Sequence, residues 1–212
     1  MGNQGQKCII VSAGDMNTNV FEKISVEEND LIIACDGGYD NCLKYGIKPD
    51  ILLGDFDSIQ HELPENINRI TLNCEKDDTD TMSAVKLALE KGFKSILITG
   101  ALGGRIDHSL ANLQTLLYIE QNSATGRIYG DREDIRLISN DTITIPSDKS
   151  KTLSIFTPDF KAEGVTIENA KYCVSDYTME NNFPIGVSNE FTDSDAIITV
   201  KKGRLFIILT NK

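Results

Sequence analysis

Apolar residues along this chain come in short blocks, and most blocks close on a glycine, a serine or a carboxylate. Lys7–Val11 is followed by Ser12-Ala13-Gly14-Asp15, and Leu31–Cys35 by Asp36-Gly37-Gly38. Residues 51–53 lead into Gly54-Asp55-Phe56-Asp57-Ser58. Residues 70–72, 95–99 and 127–130 repeat the pattern, with Gly100-Ala101-Leu102-Gly103-Gly104-Arg105 after the second of these. Unbroken apolar runs of this length, bounded by turn residues, predict buried strands. Between them the apolar period is helical. Residues 39–45 predict a short helix stopped by Gly46. Residues 81–91 predict a helix with Met82, Val85 and Leu89 on one face and Ala88 beside them. Residues 107–120 predict another, with Leu110, Leu113, Leu116 and Leu117 apolar. Alternating strands and helices predict an α/β fold with a parallel sheet covered on both faces.

From about residue 135 the texture changes. Residues 135–137, 142–145, 153–156, 165–167, 172–174, 196–200 and 205–209 are short β-type runs punctuated by Gly, Pro, Asn and Asp. No helical period recurs. The pattern predicts an α/β domain over 1–134 and an antiparallel β-sandwich or barrel over 135–212.

Composition narrows the partners. The 212 residues carry a formal charge of -11, and no basic stretch is present to hold nucleic acid by its phosphates. Five cysteines without a C-x-x-C spacing argue against zinc and against a disulfide framework, and favour a reducing compartment. Gly2 hints at myristoylation, but Gln6 stands where Ser or Thr is expected. No apolar run approaches the length that crosses a membrane, so a cytoplasmic protein is expected.

The candidate chemistry sits in the turns. Parallel strands put the turns at Asp36, Asp55 and Gly100 on one edge of the sheet, where α/β folds bind ligands. Asp55 and Asp57 are oxygen donors two residues apart, suited to Mg²⁺, although Gly, Asp and Ser also build ordinary turns. The glycines at 100, 103 and 104 let backbone N–H groups approach an anion at a helix start, and Arg105 offers a bidentate clamp; a plain tight turn is the alternative. Asp77 and Asp78 are read as helix-capping carboxylates, and Asp80, in the first turn, as a partner of Asp55 and Asp57. Asp107 and His108 open the next helix, with His108 a positional residue more than a base. His61 lies in a polar loop with no partner in view. These parts permit metal-assisted phosphoryl or pyrophosphoryl transfer, or hydrolysis, with the acceptor undefined.

Three blocks carry a resemblance: residues 48–58, residues 76–81 and residues 100–112. Together with Asp36-Gly37-Gly38 and Gly186-Val187-Ser188-Asn189-Glu190, in this order, the chain resembles the thiamine pyrophosphokinase family along nearly its whole length. The resemblance implies a Rossmann-like N-terminal domain, a C-terminal β-sandwich, and a homodimer with the active site at the subunit interface. It implies transfer of the β,γ-diphosphate of ATP to thiamine. Asp55, Asp57 and Asp80 would hold Mg²⁺ and phosphates, with Asp36 near them. Gly100, Gly103, Gly104, Arg105, Asp107 and Asn112 would contact nucleotide or substrate, and Ser188 and Asn189 the thiamine pyrimidine. Some members stack that pyrimidine on tryptophan; this chain has none, leaving Tyr172, Tyr177 or Phe183. A pyrophosphokinase acting on a hydroxymethyl pterin and a Mg-dependent nucleotide hydrolase are the alternatives.

Overall fold

The structure is a computed structural model and describes residues 5–18, 20–72 and 78–212. Gly2 and Asp77, named above, and the start of the block at residues 76–81 lie outside the described residues. The chain divides into two units, Met1–Asp131 and Arg132–Lys212.

Among the described residues the first unit contains six strands and three α-helices: β1 (Lys7–Val11), β2 (Leu31–Cys35), α1 (Gly38–Lys44), β3 (Ile51–Gly54), β4 (Asn68–Thr71), α2 (Asp80–Glu90), β5 (Ser95–Thr99), α3 (Ile106–Gln121) and β6 (Thr125–Tyr129). The strands are parallel, in the order β6-β5-β1-β2-β3-β4. Strands covered on both faces have no polar side, which is why the predicted runs are continuously apolar. Cys8, Ile9, Ile10 and Val11 are each fully buried. The strand order runs outward from β1 to β4 on one side and from β5 to β6 on the other. The topological switch therefore lies at β1 and β5, and ligands of such sheets bind outside the carboxyl ends there.

The helices exist where the period places them, but their buried faces are rotated from the predicted ones. Helix α2 buries Thr81, Ala84, Val85 and Ala88. Helix α3 buries Asn112, Thr115, Leu116 and Ile119, while Leu110 is 56% exposed. Polar residues can occupy that face because their groups are satisfied locally: Thr115 Oγ1 donates to the Ala111 carbonyl at 2.9 Å and Asn112 Nδ2 to the Ala101 carbonyl at 2.8 Å.

The second unit holds β7 (Glu133–Ser139), β8 (Thr142–Ile145), β9 (Lys151–Phe156), β10 (Lys161–Glu168), β11 (Val174–Glu180), β12 (Asn189–Glu190), β13 (Ala196–Thr199) and β14 (Arg204–Asn211). Two antiparallel sheets form within it, ordered β12-β9-β14-β7 and β11-β10-β13-β8. Leu153, Ile155, Leu205 and Ile207 of the first share one core with Val165, Ile167, Ala196 and Ile198 of the second. This is the predicted sandwich.

Candidate active site

The turn after β3 builds the first part of the site. Phe56 adopts φ +67°, an uncommon conformation for a bulky residue, and packs its ring on the core. Asp55 and Asp57 flank it. Asp36, at the end of the neighbouring β2, has φ +50°, and its backbone N–H donates to the Leu53 carbonyl at 2.9 Å. Gly54 has no side chain to keep it away: the position a Cβ would take there is 3.1 Å from Asp36 Cβ. Oxygens of Asp36, Asp55 and Asp57 consequently all lie within 4.8 Å of one another. Left-handed residues of this kind cost about 1–3 kcal/mol each and gather at functional sites.

The electrostatics of this group call for a cation. The Asp55 carboxylate, which also accepts the Asp57 N–H at 3.3 Å, pushes the Asp57 carboxyl above its ordinary range, with Asp36 and Asp80 adding to the effect. One oxygen of Asp36 accepts from Ser58 Oγ, which in turn accepts the Gly37 N–H at 3.1 Å. The other, Oδ1, is buried without a hydrogen-bond partner. An orphaned carboxylate oxygen beside two more carboxylates is a donor set suited to a hard divalent cation.

A cleft of about 460 Å³ adjoins this group, lined among others by Asp36, Ser58, Asp80, Gly100, Arg105 and Asn112. Asp80 is thus in the cleft wall, at the start of α2, and outside the 4.8 Å group. The cap of α2 is Thr79, whose hydroxyl accepts the Met82 N–H at 3.1 Å; Asp78, expected to cap, pairs with Lys86 instead. A threonine whose backbone is already extended suits the cap geometry, which frees the neighbouring carboxylates for other partners. Gly100, Gly103 and Gly104 all have positive φ, and no atom blocks the Cβ positions of the last two. Their backbone is open to a close-approaching ligand. Arg105 is forked onto Asp107, Nε to Oδ1 at 3.1 Å and Nη2 to Oδ2 at 2.5 Å. That pairing holds the Asp107 carboxyl below its usual range and both side chains are exposed. Asp107 also accepts the His108 N–H at 3.0 Å, and His108 lines the cleft. His61 does have a partner, Asp40 Oδ1 at 2.7 Å from Nδ1.

Sequence pattern gave no role to residues 12–15 beyond a turn. The structure puts Ser12, Ala13, Gly14 and Asp15 in the cleft wall. Glycine with a following acid was the available signal, and it is a weak one without the strand order.

The second unit has its own cavity, of about 270 Å³ and mostly apolar, lined by Ile155, Tyr172, Tyr177, Met179, Val187 and Asn189 among others. Asn189 is buried. Its Oδ1 accepts the N–H groups of Tyr172 (3.0 Å) and Glu190 (2.9 Å), and its Nδ2 donates to the Tyr172 carbonyl (2.8 Å). The side chain thus clamps Tyr172 by its backbone, and Tyr172, 60% exposed, lines the cavity. Ser188 is exposed, with φ +57°. Phe183 is exposed and is not part of the cavity lining.

Two family models match this sequence. One, described as thiamin pyrophosphokinase, catalytic domain, spans residues 23–128. The other, thiamin pyrophosphokinase, vitamin B1 binding domain, spans residues 140–205. Thiamine pyrophosphokinase of Bacillus subtilis (strain 168) is 30% identical over 205 residues, covering 94% of this chain and 96% of the relative. Thiamin pyrophosphokinase 1 of Caenorhabditis elegans is 23% identical over 188 residues, covering 83% and 77%. The crystal structure of the Bacillus subtilis enzyme superposes with a TM-score of 0.86 at 26% identity, over 98% of this chain and 99% of that one. Both halves of the chain, and their order, match one family. The chain belongs to the thiamine pyrophosphokinase family.

Proposed function

We propose that this enzyme transfers the β,γ-diphosphate of ATP to the hydroxyl of thiamine, yielding thiamine diphosphate and AMP. Beyond family membership, one observation supports the reading: the Asp36–Asp55–Asp57 group and the open glycine loop meet at one edge of the parallel sheet. In the proposed reaction the thiamine oxygen bonds to the β-phosphorus, the bond from that phosphorus to the α–β bridging oxygen breaks, and AMP departs. The hydroxyl proton is lost to solvent.

Asp36, Asp55 and Asp57 would hold Mg²⁺, with Asp80 beside them on the cleft wall. When bound, Mg²⁺ supplies charge neutralisation at the transferring phosphates. The backbone N–H groups around Gly100, Gly103 and Gly104 would cradle phosphate oxygens near the start of α3. An incoming phosphate would replace Asp107 as the bidentate partner of Arg105. Asn112 would act from behind, by holding the Ala101 carbonyl. Tyr172 and Tyr177 are the aromatic faces available to the pyrimidine, with Ser188 exposed nearby in sequence and Asn189 fixing the Tyr172 backbone. The proposed assembly is a homodimer sharing its active sites, supported by the exposed apolar side chains Phe160, Phe183, Ile185 and Val187. The proposed compartment is the cytoplasm, supported by five cysteines with no spacing typical of a disulfide framework. Among the described residues no helix is long and apolar enough to cross a membrane.

The test is a product assay with ATP, Mg²⁺ and thiamine, scored for AMP and thiamine diphosphate together. AMP formed with a hydroxymethyl pterin and not with thiamine would make the substrate wrong. AMP or ADP released with no acceptor alcohol would indicate hydrolysis. Asp57→Ala is expected to lower turnover by at least on the order of a hundredfold, as loss of a transition-state charge contact does. Near-normal turnover in a folded Asp57→Ala protein would remove the metal assignment.

A further inference from the structure

The segment at residues 12–15 is bound to three other elements. Asn41, in the middle of α1, donates from Nδ2 to the carbonyl oxygens of Ser12 (3.0 Å) and Gly14 (2.9 Å). Both partners are carbonyls, so only the NH₂ end of the amide can serve. The Gly14 N–H donates to the Gly100 carbonyl at 2.8 Å, and the Ser12 N–H to the Thr99 carbonyl at 2.8 Å. The fit between these loops leaves no room for side chains. A Cβ on Gly100 would collide with the Ser12 carbonyl and lie 3.3 Å from Asn41 Nδ2, and a Cβ on Gly14 would collide with the Gly100 carbonyl. On the far flank, Ser12 Oγ shares a buried 2.7 Å hydrogen bond with Thr81 Oγ1 at the start of α2.

Asn41 itself is not in the cleft lining, whereas the segment it braces and the Gly100 loop bonded to that segment both are. They follow β1 and β5, the two strands at which the sheet order reverses. We propose that Asn41 is a positioning residue for nucleotide binding: its amide holds the backbone of residues 12–14 against the Gly100 loop and so sets the spacing of the two cleft walls. This rests on reading that cleft as the nucleotide site. The backbone bonds of Ser12 to Thr99 and of Gly14 to Gly100 use the N–H groups of the segment and leave its Ser12 and Gly14 carbonyls to the amide. The amide adds two further attachments from a helix. Thiamine recognition has no such dependence on Asn41, because the aromatic cavity belongs to the second unit.

Asn41→Asp keeps the shape and removes the donor; Asn41→Ala removes the whole amide. Steady-state kinetics on both, with ATP, Mg²⁺ and thiamine, should show KM for ATP raised about tenfold and KM for thiamine within about twofold of the wild type. Asn41→Gln, which restores an amide donor, should have a lower KM for ATP than Asn41→Ala. Calorimetric titration of ATP with Mg²⁺ into each protein gives the same comparison without turnover. Unchanged ATP affinity in either folded variant overturns the proposal. So does an equal rise in both KM values, which would mean general loosening. If neither variant folds, Asn41 serves the stability of the whole unit and the proposal is likewise overturned. A wild-type chain that binds ATP but forms no thiamine diphosphate sinks the thiamine reading alone, and the titrations still decide on Asn41. A wild-type chain that binds no ATP sinks both.

Discussion

Asp131 shows how much a single carboxylate can organise. It accepts the backbone N–H groups of Asn17 (2.9 Å) and Thr18 (3.0 Å), together with Asn17 Nδ2 and Thr18 Oγ1. Desolvation pushes its pKa up, but these hydrogen bonds outweigh it and hold the carboxyl below its ordinary range. A depressed carboxyl contributes stability above the unfolded value of about 3.9, and that stability is lost as pH falls through the folded value. Asp131→Asn is therefore expected to lower the unfolding midpoint near pH 7, and the gap from wild type should close below about pH 4. Thermal denaturation across that range checks it; a gap that widens in acid would be the wrong sign. Residues differ sharply in how far the sequence exposes such roles. Asp55 and Asp57 are legible because their partnership is local, two positions apart around one turn. Asp36 joins them through strand adjacency, which alternation alone suggests. Asp131 and Asn41 are silent in the sequence, because each acts on a segment more than 25 residues away through a contact that only the packed helix or strand end creates.

At the scale of elements, the start of α2 is the informative case. Acidic residues before a helix read naturally as caps, yet Thr79 takes the position and Asp78 pairs with Lys86. Thr79→Ala should destabilise the first unit by about 1 kcal/mol, the usual cost of a lost cap. The expected fall in midpoint is a few degrees, measurable by calorimetry, with α2 helicity frayed at the end that carries Asp80. No change in midpoint would mean the cap is not used. Periodicity located both long helices to within a residue or so. It misjudged their buried faces, because leucine content dominates a pattern while Asn112 and Thr115 enter the interior by satisfying their own hydrogen bonds. The chain divides after Asp131, and Glu133 and Asp134 open β7, where Asp134 pairs with Arg136 at 3.0 Å.

For the molecule as a whole, the alternation of strands and helices made the first unit and its ligand-binding edge predictable, and the short punctuated runs did the same for the sandwich. What pattern does not report is association. Large apolar side chains stand exposed in the second unit, among them Phe160, Phe183, Ile185 and Val187. Sedimentation velocity is expected to give about twice the 23.4 kDa chain mass, and substituting Phe183 and Ile185 by polar residues to shift it toward one chain. A wild-type chain sedimenting as a monomer at micromolar concentration would remove the dimer. The buried, unpartnered Oδ1 of Asp36 has a wider consequence. Three carboxylates held this close repel one another in the folded chain and drift apart in the unfolded one, so folding without a counter-ion works against its own field. A divalent cation that binds only the folded form adds RT ln(1 + [L]/Kd), about 2.7 kcal/mol at a hundredfold excess over Kd. Raising Mg²⁺ with no nucleotide or thiamine present should lift the melting temperature; a chelator should lower it, and Asp36→Asn should blunt the response. A melting temperature indifferent to Mg²⁺ would contradict this. The thermal stability of this chain is then expected to depend on its buffer as well as on its sequence, with a bound cation offsetting the repulsion between the strand-end turns that carry Asp36, Asp55 and Asp57.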